Sequence, residues 1–380
     1  MKFIVGNPYR PSLVRPIMGY YPPGSSFKPV DALIGLQEGV IDPNTTFFCP
    51  HYYQAGNRKI KCEHFDGSIS LRRGIARSCN TYFCYVFQKL ITKNGMKNQR
   101  KTYQEWRDKI AKFGFGEKLD IDMPYERKGY FYEADHYDKI YGKRWGYTNV
   151  ISQAIGQGEI TATPLQMANA MAIIANRGYY IKPHIIRAMG DKIKKEYVDK
   201  KYVGVDAKHF EPVIDGMQDA VNTSWGTAIL SRIPDVVLCG KTGTVQNPHG
   251  KNHSVFIGFA PRDNPKIAIA VIVENAGFGS TYAAPIASYM IEKYLKGKVT
   301  GSRAAQVEWM KSQNLLPVLK DKTKPVKIVT KADSLLIKKA DSTKKVKDSL
   351  SIRAATIKQS VATKPKGSKT VPLENPVTQK

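Results

Sequence analysis

Three consecutive runs decide the fold class: VVLCGKTGTVQ (Val236 to Gln246), HSVFIGFAP (His253 to Pro261) and KIAIAVIVEN (Lys266 to Asn275). Each is rich in β-branched and aromatic residues, and short polar or Gly/Pro turns separate them. The pattern predicts three successive strands in an antiparallel meander. AAPIASYMIEKYL (Ala283 to Leu295) follows as an amphipathic helix to cover the sheet. Upstream, ITATPLQMANAMAIIANRG (Ile160 to Gly178) reads as a buried helix. Thr163 is placed to cap it, Pro164 fits its first position and Gly178 closes it. Strands packed by a following helix, with a large helical insertion before them, predict an α+β domain.

Outward from that stretch, the 380 residues carry 59 Lys+Arg against 32 Asp+Glu, a net charge of +27, and are 42% hydrophobic. This composition allows a well-buried core in two or three units and excludes a coiled coil, a collagen-like fibre and a wholly disordered chain. No apolar run reaches the roughly 18 residues of a membrane-spanning helix, and MKFIVGNPYRP lacks a signal peptide's apolar segment. From Gly301 to Lys380 there are 18 Lys+Arg, 6 Asp+Glu and one aromatic residue, Trp309. Such a segment buries too little apolar surface to offset its ordering entropy. Residues 300–380 are therefore expected to be a basic disordered tail on a body spanning 1–299. Without a stacking platform or a reading helix, no nucleic-acid partner is expected.

Three short segments carry chemistry. In YPPGSSFKP, a Pro-Pro-Gly turn leads into a helix, so Ser25 falls at its N-terminus and Lys28 shares its face. An amine with a lowered pKa can take the proton of such a hydroxyl. In RSCNTYF, Ser78 and Asn80 can point the same way from a loop, relaying a proton and holding an amide. In GKTGT, Lys241, Thr242, Gly243 and Thr244 lie on a strand. That edge suits an extended peptide ending in a carboxylate, with Gly243 allowing close backbone approach. Each alone is a weak signal.

Together, and in that order, they form the set shared by penicillin-binding proteins and class A β-lactamases. YYPPGSSFKP, FGFGEKLDIDMP (Phe113 to Pro124), IGQGEITATPLQMANAMAIIANRG (Ile155 to Gly178), GKTGT and the ENAG and AAPIA runs sharpen the likeness. The body resembles the class B penicillin-binding proteins, in particular the peptidoglycan D,D-transpeptidases of cell elongation. The resemblance implies a penicillin-binding/β-lactamase-like transpeptidase fold: an antiparallel sheet flanked by helices, plus an all-α subdomain. It implies that Ser25 is the nucleophile, Lys28 its base and Ser78 a proton relay. Asn80 would bind the substrate amide, Lys241 support the electrostatics, and Thr242, Gly243 and Thr244 receive the terminal carboxylate. The partners implied are peptidoglycan stem peptides, β-lactam antibiotics and elongation-complex membrane proteins including a glycosyltransferase. The place implied is the periplasmic face of the inner membrane. Catalysis would need no cofactor. A serine β-lactamase, a D,D-carboxypeptidase or an inactive truncated fragment are the alternatives.

Five cysteines, Cys49, Cys62, Cys79, Cys84 and Cys239, are an odd number for a purely disulfide-bonded exported protein. Cys49, Cys62, His64 and Cys79 fall within 31 residues, and three thiolates with an imidazole would make a closed zinc site. The resembled proteins include members with a structural zinc beside the active site. His51 and Asp66 compete with His64 as the fourth ligand, and a Cys49–Cys62 disulfide is the alternative. Cys84 and Cys239 read as core packing. Family members carry a membrane anchor, a pedestal and an opening hairpin ahead of the nucleophile, whereas Ser25 is 24 residues from Met1. The first two sheet strands are therefore expected to be missing, leaving IAIAVIV with an open edge.

Overall fold

In the computed structural model, residue 7 and residues 9–64, 67–247 and 250–316 are described. The chain divides after Pro317 into two units, and the first, Met1–Pro317, contains the sheet, the helices and the site.

The elements that position the site come first in the chain. A single 3-10 turn, Gly24–Phe27, runs directly into α1 (Lys28–Gln37). Strands β1 (Thr46–Cys49) and β4 (Gly67–Ser70) pair antiparallel and bracket a hairpin of β2 (Tyr52–Ala55) and β3 (Arg58–Lys61). Helices α2 (Leu71–Ala76) and α3 (Asn80–Thr92) follow, then α4 (Gln99–Ala111) and α5 (Ala134–Tyr141). Aromatic edges lock this helical layer: Trp106 meets Phe27 at 6.2 Å and Phe87 at 5.0 Å, and Tyr103 meets Tyr137 at 5.4 Å. Two short strands, β5 (Tyr179–Ile181) and β6 (Lys200–Tyr202), then form a separate antiparallel pair.

The main sheet forms as the alternation predicts, slightly trimmed. Strands β7 (Cys239–Val245), β8 (His253–Ala260) and β9 (Ile267–Val273) make an antiparallel meander in the order β7-β8-β9. Thr242 pairs with Phe256, and Phe256 with Val271. The period of two splits β8 between two cores. Val255, Ile257 and Phe259 join the large core with Met167, Ala170 and Met171. Phe256 and Ala260 turn to a smaller core with Ala284, Ala287 and Ile291. Truncating a fully buried ring such as Phe256 costs about 3–5 kcal/mol. Helix Pro164–Ala175 lies behind the first core; Thr163 and Gln166 close a capping box at its start, Gln166 N donating to Thr163 Oγ1 at 3.2 Å. Ala283–Lys296 covers the other face. Among the described residues β9 has no partner on its outer edge, and only Ile269 of its seven residues is buried. At the opposite edge β7 lies against the 3-10 turn. A Cβ on Gly243 would stand 3.3 Å from Pro23 O and 3.5 Å from Ser26 N, so glycine there permits the approach.

Part of the stretch expected as a tail from residue 300 is ordered. Ser302–Ser312 is helical, and Arg303 is buried. Its guanidinium donates to Glu292 Oε2 at 2.6 Å, Arg232 O at 2.8 Å and Ser288 Oγ at 2.9 Å. Trp309 stacks on Tyr282 at 6.4 Å. Composition averaged over eighty residues hides one buried arginine and one stacked indole. Residues 317–380 lie outside the described residues.

Candidate active site

The fold brings the three sequence segments to one cavity of about 700 Å³, lined by Ser25, Ser78, Asn80, Thr242 and Thr244 among others. Lys28 and Lys241 are fully buried against it.

Ser25 and Ser26 are adjacent but differ in environment. Ser26 Oγ is buried and donates to Pro23 O at 2.6 Å. Ser25 faces the cavity, and its hydroxyl has no hydrogen bond among the described residues. Ser25 and Lys28, which the spacing puts on one face, form no hydrogen bond with each other among the described residues. Lys28 Nζ instead donates to Asn80 Oδ1 at 2.6 Å, to Ser78 O at 2.7 Å and to Ser78 Oγ at 3.3 Å. Burial pushes its pKa down to about 8, partly offset by the neighbouring sulfurs of Cys79 and Cys62.

Ser78 and Asn80 reach the amine through the join between two helices. Ser78 sits at φ 60°, a left-handed conformation that costs a residue other than glycine about 1–3 kcal/mol. Cys79 caps α3, its sulfur accepting from Tyr82 N at 3.3 Å. Asn80 opens the helix, and its Nδ2 donates to Lys61 O at 2.8 Å. The Asn80 side chain thus spans from Lys28 to β3.

On the opposite wall, Lys241 Nζ donates to Thr242 O at 3.0 Å. Burial, and then the charge of Lys28, holds its pKa well below the ordinary lysine value. Thr242 Oγ1 donates to Thr227 Oγ1 at 2.9 Å. Thr227 also lines the cavity and was not singled out from the sequence. Its signal is the preceding glycine: a Cβ on Gly226 would lie 2.3 Å from Asp219 O, so the turn bearing Thr227 is fixed.

A family model for the penicillin binding protein transpeptidase domain matches residues 4–292. The chain belongs to this transpeptidase family. The peptidoglycan D,D-transpeptidase MrdA of Acinetobacter baumannii is 34% identical over 310 residues, 75% of this chain and 44% of that protein. MrdA of Escherichia coli K12 is 30% identical over 301 residues, 73% of this chain and 46% of that protein. The chain thus spans about half the length of these relatives. Among solved structures, Pseudomonas aeruginosa PBP2 in complex with WCK 5153 aligns with a TM-score of 0.70 at 32% identity, covering 79% of this chain and 65% of that one. Helicobacter pylori PBP2 in complex with MreC aligns at 0.66 and 27% identity, covering 78% and 54%. The antiparallel sheet flanked by helices is thus the penicillin-binding transpeptidase fold.

Within that fold, three cysteines meet directly behind the Ser78–Asn80 loop. The sulfurs of Cys49, Cys62 and Cys79 all lie within 4.8 Å of one another, and all three residues are buried. Cys62 and Cys79 Sγ are 3.7 Å apart, and Cys62 Sγ also accepts from Asn80 N at 3.3 Å. The hydrogen bond shared by these two sulfurs holds the Cys62 thiol well below its ordinary range, and the same bond, with burial, pushes Cys79 up. Cys49 Sγ donates to Thr81 Oγ1 at 3.2 Å and to the backbone carbonyl of His64 at 3.7 Å. All five cysteines are free thiols, and Cys84 and Cys239 are buried, as their packing role predicts. The expected four-ligand set needs one correction. His64 offers the cluster its carbonyl, its imidazole is not among the clustered groups, and the residue also lines the cavity. His51 is likewise outside the cluster, and Asp66 lies outside the described residues.

Proposed function

We propose that this chain carries the catalytic domain of a peptidoglycan D,D-transpeptidase, with Ser25 as nucleophile. The supporting observation is the Lys28 amine, buried, lowered in pKa and bonded to Ser78 and Asn80 beside the cavity that Ser25 faces. Ser25 Oγ attacks the carbonyl of the penultimate D-Ala of a stem peptide. The Oγ–C bond forms as the hydroxyl proton passes to neutral Lys28. The C–N bond then breaks, and the proton travels through Ser78 Oγ to the departing D-Ala amine. Backbone N–H groups of Ser25 and Thr244 hold the oxyanion, each worth about 2.7–4 kcal/mol. Asn80 orients the substrate amide. Lys241, Thr242, Gly243 and Thr244 receive the terminal carboxylate, with Thr227 fixing Thr242. An amine from a neighbouring strand resolves the ester, forming the cross-link and returning a proton to Ser25. β-Lactams imitate the D-Ala-D-Ala end and acylate the same oxygen.

The fate of the acyl-enzyme tests the reading. A penicillin adduct should be long-lived in water, while a peptide ester should turn over when an amine acceptor is added. Rapid hydrolysis of both would assign the chain to the β-lactamase or D,D-carboxypeptidase reaction instead.

The protein works at the periplasmic face of the inner membrane with elongation-complex membrane proteins, a glycosyltransferase among them. One structural relative was solved with MreC, and another belongs to a peptidoglycan synthase complex. No helix among the described residues is long and apolar enough to cross a membrane.

Cys49, Cys62 and Cys79 fit a structural zinc ion. Three buried sulfurs at the N-terminus of α3, one already drawn toward thiolate, form a soft donor set. The metal would tie the Ser78–Asn80 loop to β1 and to the residue after β3. One equivalent of zinc per chain, with three thiols unreactive until a chelator is added, is the expected result. A disulfide between any two of the three would refute it.

A further inference from the structure

The transpeptidase reading leaves one wall of the cavity without a task. Hairpin β2–β3 forms that wall, and its second strand reads Arg58-Lys59-Ile60-Lys61. The hairpin is firmly seated. Tyr53 and Ala55 point inward and are buried, Tyr53 donates to Gln88 Oε1 on α3 at 2.8 Å, and its ring meets Tyr85 edge-on at 4.9 Å. At its tip Arg58 reaches across to Ser152 Oγ at 3.2 Å, and Ser152 also lines the cavity.

Lys59 and Lys61 stand two residues apart on β3, so they share the face opposite the buried one. Both are exposed, both line the cavity, and neither has an acidic partner within ion-pair distance among the described residues. Lys59 Nζ rests over the Tyr52 ring at 4.6 Å, which holds the amine along the strand. Against them, Glu63 is the one carboxylate among the described lining residues. A concave wall of one sign concentrates field on whatever enters it. The terminal carboxylate of the substrate is already assigned to the Thr242–Thr244 wall, so these cations are surplus to it.

We infer that Lys59 and Lys61 form an anion subsite for a second carboxylate on the acyl-donor peptide, upstream of D-Ala-D-Ala. The inference rests on the transpeptidase reading and extends it to substrate choice. The position follows from Asn80. The residue that orients the substrate amide is hydrogen-bonded through Nδ2 to the carbonyl of Lys61 itself. The peptide segment leading into the scissile bond therefore runs beside β3, within reach of two long, flexible cations. A donor with a free interior carboxylate gains both ion pairs, and its amidated counterpart gains neither. The chain selects acidic donor peptides.

Two matched synthetic peptides test this, both ending in D-Ala-D-Ala, one with an upstream glutamate and the other with glutamine in its place. Each competes with a fluorescent penicillin for Ser25. With the unaltered chain at low salt, the glutamate peptide should compete about tenfold better, since two exposed pairs contribute a few-fold each. The advantage should collapse near 1 M salt, where the screening length is about 3 Å. Lys59→Gln with Lys61→Gln should still label covalently but treat the two peptides alike. Lys59→Arg with Lys61→Arg should restore the preference. Equal competition by both peptides in the unaltered chain, or a preference that survives the double glutamine change, overturns the subsite alone. Absence of penicillin labelling in every chain overturns the transpeptidase reading and the subsite with it.

Discussion

Lys28 Nζ lies 2.6 Å from Asn80 Oδ1, although 52 residues separate them. That bond joins the helix after the nucleophile to the helix after the Ser78 loop. It holds the amine beside the cavity that Ser25 faces. The amine must shed a proton and release an acceptor before it can serve as base.

Acylation should therefore follow the neutral form of Lys28. Burial lowers its pKa to about 8, so the reactive fraction rises with pH through that value. The second-order rate of penicillin acylation is expected to climb between about pH 6.5 and pH 9 along one ionisation centred near 8. A flat or falling profile over that range would remove Lys28 as the base.

Much of this site is legible in the sequence, and the illegible parts share a cause. The strand and helix patterns of Val236 to Leu295 and the cap at Thr163 are local, so period and capping chemistry place them within a few residues. The motif set placed Ser25, Lys28, Ser78, Asn80 and Lys241 in one site, and all line the cavity or lie buried beside it. What escaped depends on contacts between distant segments. Thr227 acquires a role only because β7 brings Thr242 to it. His64 turns its carbonyl rather than its ring to Cys49, since β1 and β4 set the loop between them. Arg303 orders a helix inside a stretch whose average composition reads as disorder.

Asn80→Ala removes an acceptor from a charged amine and a donor from the Lys61 carbonyl. A hydrogen bond to a charged group is worth about 1.5–3 kcal/mol, roughly a ten- to hundredfold change. Without the bond the charged amine is less stable, so Lys28 should ionise lower and the midpoint of the acylation profile should fall below 8, measured as second-order penicillin acylation rates across pH. An unchanged midpoint would show that the Lys28–Asn80 bond does not hold the charged amine.

The Arg303–Glu292 pair is nearly inaccessible at both ends, with side chains 9% and 3% exposed. Breaking one side leaves a buried charge unpaired, which costs about 3–5 kcal/mol. Arg303→Ala should lower the urea midpoint accordingly. Replacing both residues with methionine should recover most of the loss. Equal stability of Arg303→Ala and the parent chain would mean that the helix beginning at Ser302 does not depend on the pair.

The identity of the nucleophile is tested most directly by intact-mass analysis after penicillin treatment of three chains: unaltered, Ser25→Ala and Ser26→Ala. Ser25 faces the cavity, and Ser26 Oγ is committed to Pro23 O. One stable penicilloyl adduct is expected on the unaltered chain and on Ser26→Ala, and none on Ser25→Ala. An adduct that persists in folded Ser25→Ala would contradict the assignment of Ser25 and the reaction built on it.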